Sequence, residues 1–285
     1  MAVVRGLREA GSVAPPGQVL LAHLTDVHVV GDGRDDELHV DNNGRLSAAV
    51  DSIVAERPAV EAVLATGDLT AWGRPADYTK LAELLAPLEC PVLPLPGNHD
   101  DRNGMRATFP DIPWADAEHA SWVVTVGDVR IVALDSTLPG EPGAQFDRER
   151  EEWLRGALGE PHDGPTLLAL HHPPFRTGVA WMDRSGFIGL NRLTEVVAEH
   201  LPDRIVCGHL HRPVTTTVGG VPTQVGLSTI EAVHLDLAEN PRPRLILDPV
   251  GYNLIAVDGP TVVTHTRFVA PGVSAFEPTW ADLYA

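Results

Sequence analysis

Long apolar runs are missing from this chain. No stretch approaches the roughly 20 residues a membrane helix needs, although 44% of the 285 residues are hydrophobic. The first residues carry Arg5 and Arg8 but break at Gly11, Pro15, Pro16 and Gly17 without an apolar core. That pattern does not read as a signal peptide, so residues 1–18 are expected to form a flexible tail and the protein to be cytoplasmic. Cysteine is scarce. Cys90 and Cys207 are the only two, too few for a disulfide framework, and each is expected as a buried free thiol in a reducing compartment. Positive charge is also short: 21 Lys and Arg stand against 39 Asp and Glu, a formal net charge of -18. Binding to nucleic acid or to an anionic membrane needs a basic surface, so neither partner is expected. An anionic small molecule remains compatible, because divalent cations in a cleft reverse the local sign. Internal repeats and low-complexity tracts are absent as well.

What is present alternates. Val19 to Leu24, Ala59 to Ala65 and Pro91 to Leu95 read as buried strands, separated by helical spacing over Leu46 to Ala55 and Pro75 to Leu85. This β-α-β-α-β order implies a sheet covered by helices. Trp122 to Val126 and Val129 to Leu134 flank Gly127-Asp128, a hairpin signal. Arg148 to Leu158 reads as a helix, with the acidic cluster from Arg148 to Glu152 on its solvated face. Thr166 to Leu170 is a strand, Leu193 to His200 a helix and Arg204 to Cys207 a short strand. Beyond His211 the pattern is mostly strand. The expected architecture is α/β, a four-layer α/β/β/α sandwich in one domain over residues 19–270. A C-terminal tail, 271–285, follows. Its Trp280 and Tyr284 are candidates for an interface between copies.

The polar residues collect at the ends of those strands. Asp26 and His28 follow the first, Gly67-Asp68 the second and Gly97-Asn98-His99-Asp100 the third. His171-His172 follow Thr166 to Leu170, and Gly208-His209-Leu210-His211 follow Arg204 to Cys207. Ligands of layered α/β folds gather at the carboxyl ends of strands. Asp26, His28, Asp68, Asn98, His171, His209 and His211 offer oxygen and nitrogen donors without a thiolate. That chemistry suits Zn, Mn, Fe or Co. Seven donors exceed one ion and suit two that share a ligand. A carboxylate has two oxygens and can be shared, and Asp68, preceded by Gly67 where the backbone can turn tightly, is the candidate bridge. In Asp26-Val27-His28 and His209-Leu210-His211 the paired donors lie two apart, on one side of an extended segment.

Taken in order, Asp26-x-His28, Gly67-Asp68, Gly97-Asn98-His99-Asp100, His171-His172 and Gly208-His209-x-His211 resemble the calcineurin-like metallophosphoesterases. Within that superfamily, Gly73-Arg74-Pro75, Leu134-Asp135-Ser136, His171 to Pro174 and Met182-Asp183-Arg184 are similar to class III cyclic nucleotide phosphodiesterases and bacterial glycerophosphodiesterases. The resemblance implies that Asp26, His28, Asp68 and His211 hold one divalent ion and that Asp68, Asn98, His171 and His209 hold the other. A metal-bridging hydroxide would attack a phosphodiester, with His99 facing the phosphoryl group as proton donor and Asp100 orienting His99. Relatives often carry Asn or Asp three residues after the bridging aspartate. Ala71 stands there in this chain, so one polar contact is missing.

Arg102 and Arg176 flank the motifs as candidate phosphate contacts, with surface solvation the alternative for each. Arg176 to Leu190 is expected as a substrate-side loop. His172 is expected to support the turn made by Pro173 and Pro174. The first substrate class is a 3',5'-cyclic nucleotide such as cyclic AMP. A glycerophosphodiester is the nearest rival, and a monoester or broad phosphoesterase activity the third. A non-catalytic metal-dependent scaffold would be expected to have lost ligands, and all seven are present.

Overall fold

Apolar residues alternate sides along strands that are buried on both faces, and this sorts the chain into layers. A computed structural model describes residues 2–3, 18–31, 40–116 and 118–269; most of the expected N-terminal tail and all of 271–285, including Trp280 and Tyr284, lie outside these. In chain order the elements begin with β1 (Ala2–Val3), β2 (Gln18–Leu24), α1 (Asn42–Val54), β3 (Ala62–Thr66), α2 (Pro75–Leu85), β4 (Val92–Leu95) and α3 (Arg102–Thr108). There follow β5 (Trp122–Val126), β6 (Val129–Leu134), β7 (Thr137–Leu138), β8 (Glu141–Gln145), α4 (Arg148–Gly159) and β9 (Thr166–Leu170). The rest are α5 (Ala180–Asp183), β10 (Phe187–Ile188), α6 (Leu190–His200), β11 (Arg204–Cys207), β12 (Val214–Val218), β13 (Val221–Val225), β14 (Ala232–Val233), β15 (Leu245–Ile246), β16 (Gly251–Asp258) and β17 (Thr261–Phe268).

Two sheets carry the fold. One has the order β17-β16-β2-β3-β4 and the other β1-β5-β6-β9-β11-β13-β12. Val19, Leu21, Ala62, Leu64, Leu93 and Leu95 of the first meet Trp122, Val124, Ile131, Ala133, Leu167 and Ala169 of the second in one core. The intervening residues point outward. Leu20, Ala22, Val63 and Ala65 pack on Leu46, Ala49, Val50 and Ile53 of α1 and Tyr78, Leu81 and Leu85 of α2. Val132, Leu134, Leu168 and Leu170 pack on Leu154 and Leu158 of α4 and Leu193, Val196 and Val197 of α6. The result is the four-layer α/β/β/α sandwich. Strands buried on both faces read as unbroken apolar runs, which is why the sequence showed them clearly.

The differences from the sequence reading are local. α1 begins at Asn42, four residues before its apolar periodicity, because Asp41 caps it through Gly44 N (2.8 Å). Asn42 Nδ2 also donates to His28 O (2.9 Å), pinning this first turn to the loop after β2. Within the supposed solvated face of α4, Arg150 turns inward. Its guanidinium donates to Asp135 O (2.8 Å), Thr137 O (2.9 Å) and Asp147 Oδ2 (2.5 Å). Cys207 is buried as expected, whereas Cys90 is only half-buried. The Arg176 to Leu190 segment contains α5 and β10, and β10 pairs with β8 in a small sheet. No described helix is long and apolar enough to cross a membrane.

Trp122 joins the two main sheets. It is fully buried, and its indole N–H donates to Pro94 O on β4 (2.6 Å). Trp122→Ala removes the largest side chain of the shared core and should cost about 3–5 kcal/mol. Trp122→Phe should cost less, as it keeps most of the apolar volume. Urea unfolding of the three proteins checks this ordering; equal midpoints would mean that the sheets do not depend on this contact.

Candidate metal centre

The carboxyl ends of β2, β3, β4, β9 and β11 converge where the two sheets meet. Asp26 and Asp68 are fully withdrawn from solvent there, as are His171 and His172. Asp26, His28, Asp68 and His211 bring one ligand atom each within 4.8 Å of one another, and His171, His172 and His209 do the same. Asp68 lies between the groups: its Oδ2 is 3.6 Å from His28 Nε2 and 3.3 Å from His171 Nε2. Its other oxygen, Oδ1, accepts from His99 N (2.9 Å). One carboxylate oxygen thus faces nitrogen donors from both sides while the second is held by the backbone.

Backbone carbonyls set the histidine rings. Nδ1 of His171 faces Thr66 O (2.8 Å), Nδ1 of His211 faces Glu231 O (2.8 Å) and Nδ1 of His99 faces Ala71 O (2.8 Å). A carbonyl only accepts, so each Nδ1 carries the proton and leaves the Nε2 lone pair for the site. The Nε2 atoms of His28 and His211 are 3.3 Å apart, a close approach that suits two lone pairs sharing a cation. Asp26 accepts from His209 N (2.9 Å) and from Thr25 Oγ1 (2.7 Å), and lies 3.4 Å from His211 Nε2. Buried Asn98 Oδ1 has no hydrogen-bond partner, and His171 Nε2 has only Asp68 Oδ2, at 3.3 Å, beside it. Buried polar atoms are rarely left unpaired, and lone-pair donors without a proton to accept fit a metal ion.

The charges agree with this reading. Burial raises the Asp68 carboxyl, but His171 and then His28 outweigh it and hold Asp68 well below the usual carboxylate range. Burial lowers His171, yet Asp68 and then Asp26 overcome it and push the imidazole up to about 9. These are two views of one attraction, in which a proton on His171 balances Asp68; a metal ion would replace that proton. Burial alone leads the shift of His209, down to about 3, and His28 is also driven well down by burial. Neutral imidazoles are the form that ligates.

Strain marks the same residues. Six described non-glycine residues have positive φ, and five of them are Asp26 (54°), His28 (41°), Asp68 (50°), His209 (73°) and His211 (54°). Such conformations cost on the order of 1–3 kcal/mol each and persist where surroundings over-determine them. The motif glycines allow the approach: a Cβ on Gly97 would lie 2.2 Å from Asp68 Oδ1, and one on Gly208 would lie 1.9 Å from Thr25 Oγ1.

Several of the expected roles look different in the structure. Asp100 does not touch the His99 ring; that ring is fixed by Ala71 O. Asp100 instead accepts from Leu69 N (3.1 Å), Thr70 N (3.0 Å) and Gly97 N (3.0 Å), tying together the loops after β3 and β4. Arg102 is bound to Asp135 Oδ2 (2.6 Å) and Thr137 Oγ1 (2.8 Å), so it braces the loop after β6. Arg176 is exposed. Sequence reasoning passed over Thr25 and Ser228, whose hydroxyls hold Asp26 Oδ2 and Asp26 O (2.8 Å for the latter). His172 does more than support a turn: Ser136 Oγ lies 2.9 Å from its Nδ1, and its ring stands 4.7 Å from that of His209.

A layered sandwich whose strand ends turn acidic and imidazole donors toward one buried point is built as a metal-dependent phosphoesterase. The model of the calcineurin-like phosphoesterases matches residues 19–213, and the chain belongs to that family. It is 35% identical to a probable cyclic nucleotide phosphodiesterase of Rhodopseudomonas palustris over 85% of this chain and 89% of that protein. It is 28% identical to a probable glycerophosphodiester phosphodiesterase of Arcobacter nitrofigilis over 88% of this chain and 93% of that protein. Among solved structures, a purple acid phosphatase from yellow lupin has the same fold, with a TM-score of 0.65 at 14% identity over 90% of this chain and 52% of its own.

Asp68→Asn removes the charge that both donor groups share. Bound divalent metal, measured by elemental mass spectrometry after dialysis, should fall well below that of the parent. Full retention would mean that Asp68 is not a shared ligand.

Proposed function

We propose that the chain is a binuclear phosphodiesterase acting on 3',5'-cyclic nucleotides. In this reading Asp26, His28, Asp68 and His211 hold one divalent cation, and Asp68, Asn98, His171 and His209 hold the second. The observation that carries it is the position of Asp68 Oδ2 between His28 Nε2 and His171 Nε2. Bound there, the cations supply Lewis acidity toward the phosphoryl oxygens and a water that loses its proton near neutral pH.

The chain's own residues do the rest. His99 N fixes Asp68 Oδ1 and so reserves Oδ2 for ligation. The His99 ring stands edge-on to His28, with centroids 4.6 Å apart, beside the donor cluster. Its Nδ1 donates to Ala71 O, which leaves Nε2 as the ring atom that exchanges protons with the site. In this reading a proton taken up at Nε2 is the one that meets charge on the phosphoryl oxygens or passes to the leaving alkoxide. Asp100 acts at one remove, holding the Leu69–Thr70 backbone that positions Ala71 and, through it, His99. Ala71 contributes its carbonyl to the site where a polar side chain would otherwise reach the substrate.

The substrate class rests on relatives. One is named a probable cyclic nucleotide phosphodiesterase, and another, from Mycobacterium tuberculosis, a cAMP/cGMP dual specificity phosphodiesterase with 30% identity over 90% of this chain. The relative named a glycerophosphodiester phosphodiesterase defines the alternative. Comparing kcat/KM for cyclic AMP, glycerophosphocholine and a nitrophenyl monoester separates them. Cyclic AMP is expected to lead, and a clear win by glycerophosphocholine or the monoester overturns the substrate class.

His99→Ala should leave metal content unchanged and lower kcat by about 10²–10⁴-fold. The loss should be smaller for substrates whose leaving group needs no proton, such as a nitrophenyl ester. An equal rate on all substrates would reduce His99 to a packing role.

A further inference from the structure

Along the inner face of β2, Val19 and Leu21 enter the core shared by the two sheets. The next residue on that face is a histidine, His23. Its side chain is fully buried, and burial pushes the imidazole down to about 4, so the ring is neutral at ordinary pH. Withdrawing a polar ring from water is costly unless a hydrogen bond replaces the lost hydration. His23 has one: its Nε2 faces Thr66 Oγ1 at 2.8 Å, while Nδ1 has no partner. Gly226, just after β13, presses on the same place. A Cβ there would stand 2.8 Å from His23 Cε1 and 2.8 Å from Thr25 Cγ2.

Thr66 gives this costly placement a reason. It is the last residue of β3, opposite Leu95 of β4, and is fully buried. Beyond it the chain turns through left-handed Gly67 (90°) and Asp68 (50°). The Thr66 carbonyl accepts from His171 Nδ1 (2.8 Å). Thr25 Oγ1 lies 3.2 Å from the same oxygen and donates to Asp26 Oδ2 (2.7 Å). One carbonyl therefore serves a member of each donor group, His171 directly and Asp26 through Thr25. We propose that His23 is a positioning residue of the metal centre, which holds Thr66 by its hydroxyl and so fixes the carbonyl that orients His171 and Thr25. This role rests on the ligand set proposed above, in which His171 and Asp26 serve different cations. His23 itself sits behind the donors and acts only through Thr66. Partners that orient a ligand in this way are commonly worth 10–100-fold in metal affinity.

Titrating the metal-depleted, full-length protein with Mn²⁺ in a calorimeter tests this without any substrate. His23→Phe keeps an aromatic ring and loses both nitrogens; it should bind Mn²⁺ about 10–100-fold more weakly than the parent. Thr66→Val removes only the hydroxyl and should show a similar loss. The double variant should lose no more than either single one, because both changes break the same bond. His23→Gln, which offers an amide near the place of Nε2, should recover most of the affinity. Parent-like affinity in His23→Phe and Thr66→Val, with only the urea midpoint lowered, makes His23 a packing residue and overturns the proposal. Fully additive losses in the double variant overturn it too. Should His23→Phe fail to fold, Thr66→Val and His23→Gln decide the matter between them. A parent protein that binds no Mn²⁺ strikes the binuclear reading itself, an outcome distinct from tight binding by every variant.

Discussion

Two carboxylates, Asp26 and Asp68, are taken out of water at the seam between the sheets, and much of the architecture follows from that cost. A buried ion loses several kcal/mol of hydration unless partners replace it. Asp26 receives a backbone N–H from His209 and a hydroxyl from Thr25, and Asp68 receives the N–H of His99. These donors come from the ends of strands in different sheets, so satisfying the carboxylates also fixes how the sheets meet. The donors are still too few to balance two negative charges. Among the described contacts the remaining attraction comes from imidazoles, and His171 rises to about 9 because Asp68 demands a positive neighbour. The deficit of positive charge is therefore a property of the fold, and cations are its natural complement.

The same seam stores backbone strain. Left-handed conformations at Asp26, His28, Asp68, His209 and His211 turn successive side chains inward from strands that have just ended. Left-handed backbone at these donors, rather than an extended continuation of the strands, carries both members of Asp26/His28 and of His209/His211 to the seam. Gly97 and Gly208 make room for these turns by bringing backbone against Asp68 and Thr25. Packing of the apolar strands behind the seam, with Trp122 bonded across to Pro94 O, supplies the stability that offsets this strain.

Much of this was legible in the sequence. Strands buried on both faces are short apolar runs, and the candidate donors stood directly after them, so the layers and the place where those candidates gather could be read without coordinates. The spacing argument for Asp26-x-His28 reached the right grouping for an incomplete reason, because the segment is not extended but left-handed at both donors. α3 escaped because Arg102–Thr108 buries only Met105 and so has no periodicity. The orientation of His99 escaped for a deeper reason. Its partner is a carbonyl of Ala71, and a backbone acceptor leaves no trace in residue identity. Asp100, the polar neighbour, drew the assignment that belonged to the main chain. Arg102 and Arg150 misled in opposite directions, since charge alone does not show that both serve Asp135 and Thr137 inside the fold.

Chemistry and selectivity are separated in space by this arrangement. The donors stand on ends of strands fixed by two sheets, where a displacement would break buried contacts to several carboxylate atoms at once. Around them lie α5, β10 and the β14–β15 hairpin, short elements joined by exposed loops. They touch the centre through single links, such as Glu231 O to His211. Among the described residues, no hydrogen bond from the Arg176 to Leu190 segment or from β14 and β15 runs to the side chain of Asp26 or Asp68, so a change in those segments leaves the partners of the two buried carboxylates in place.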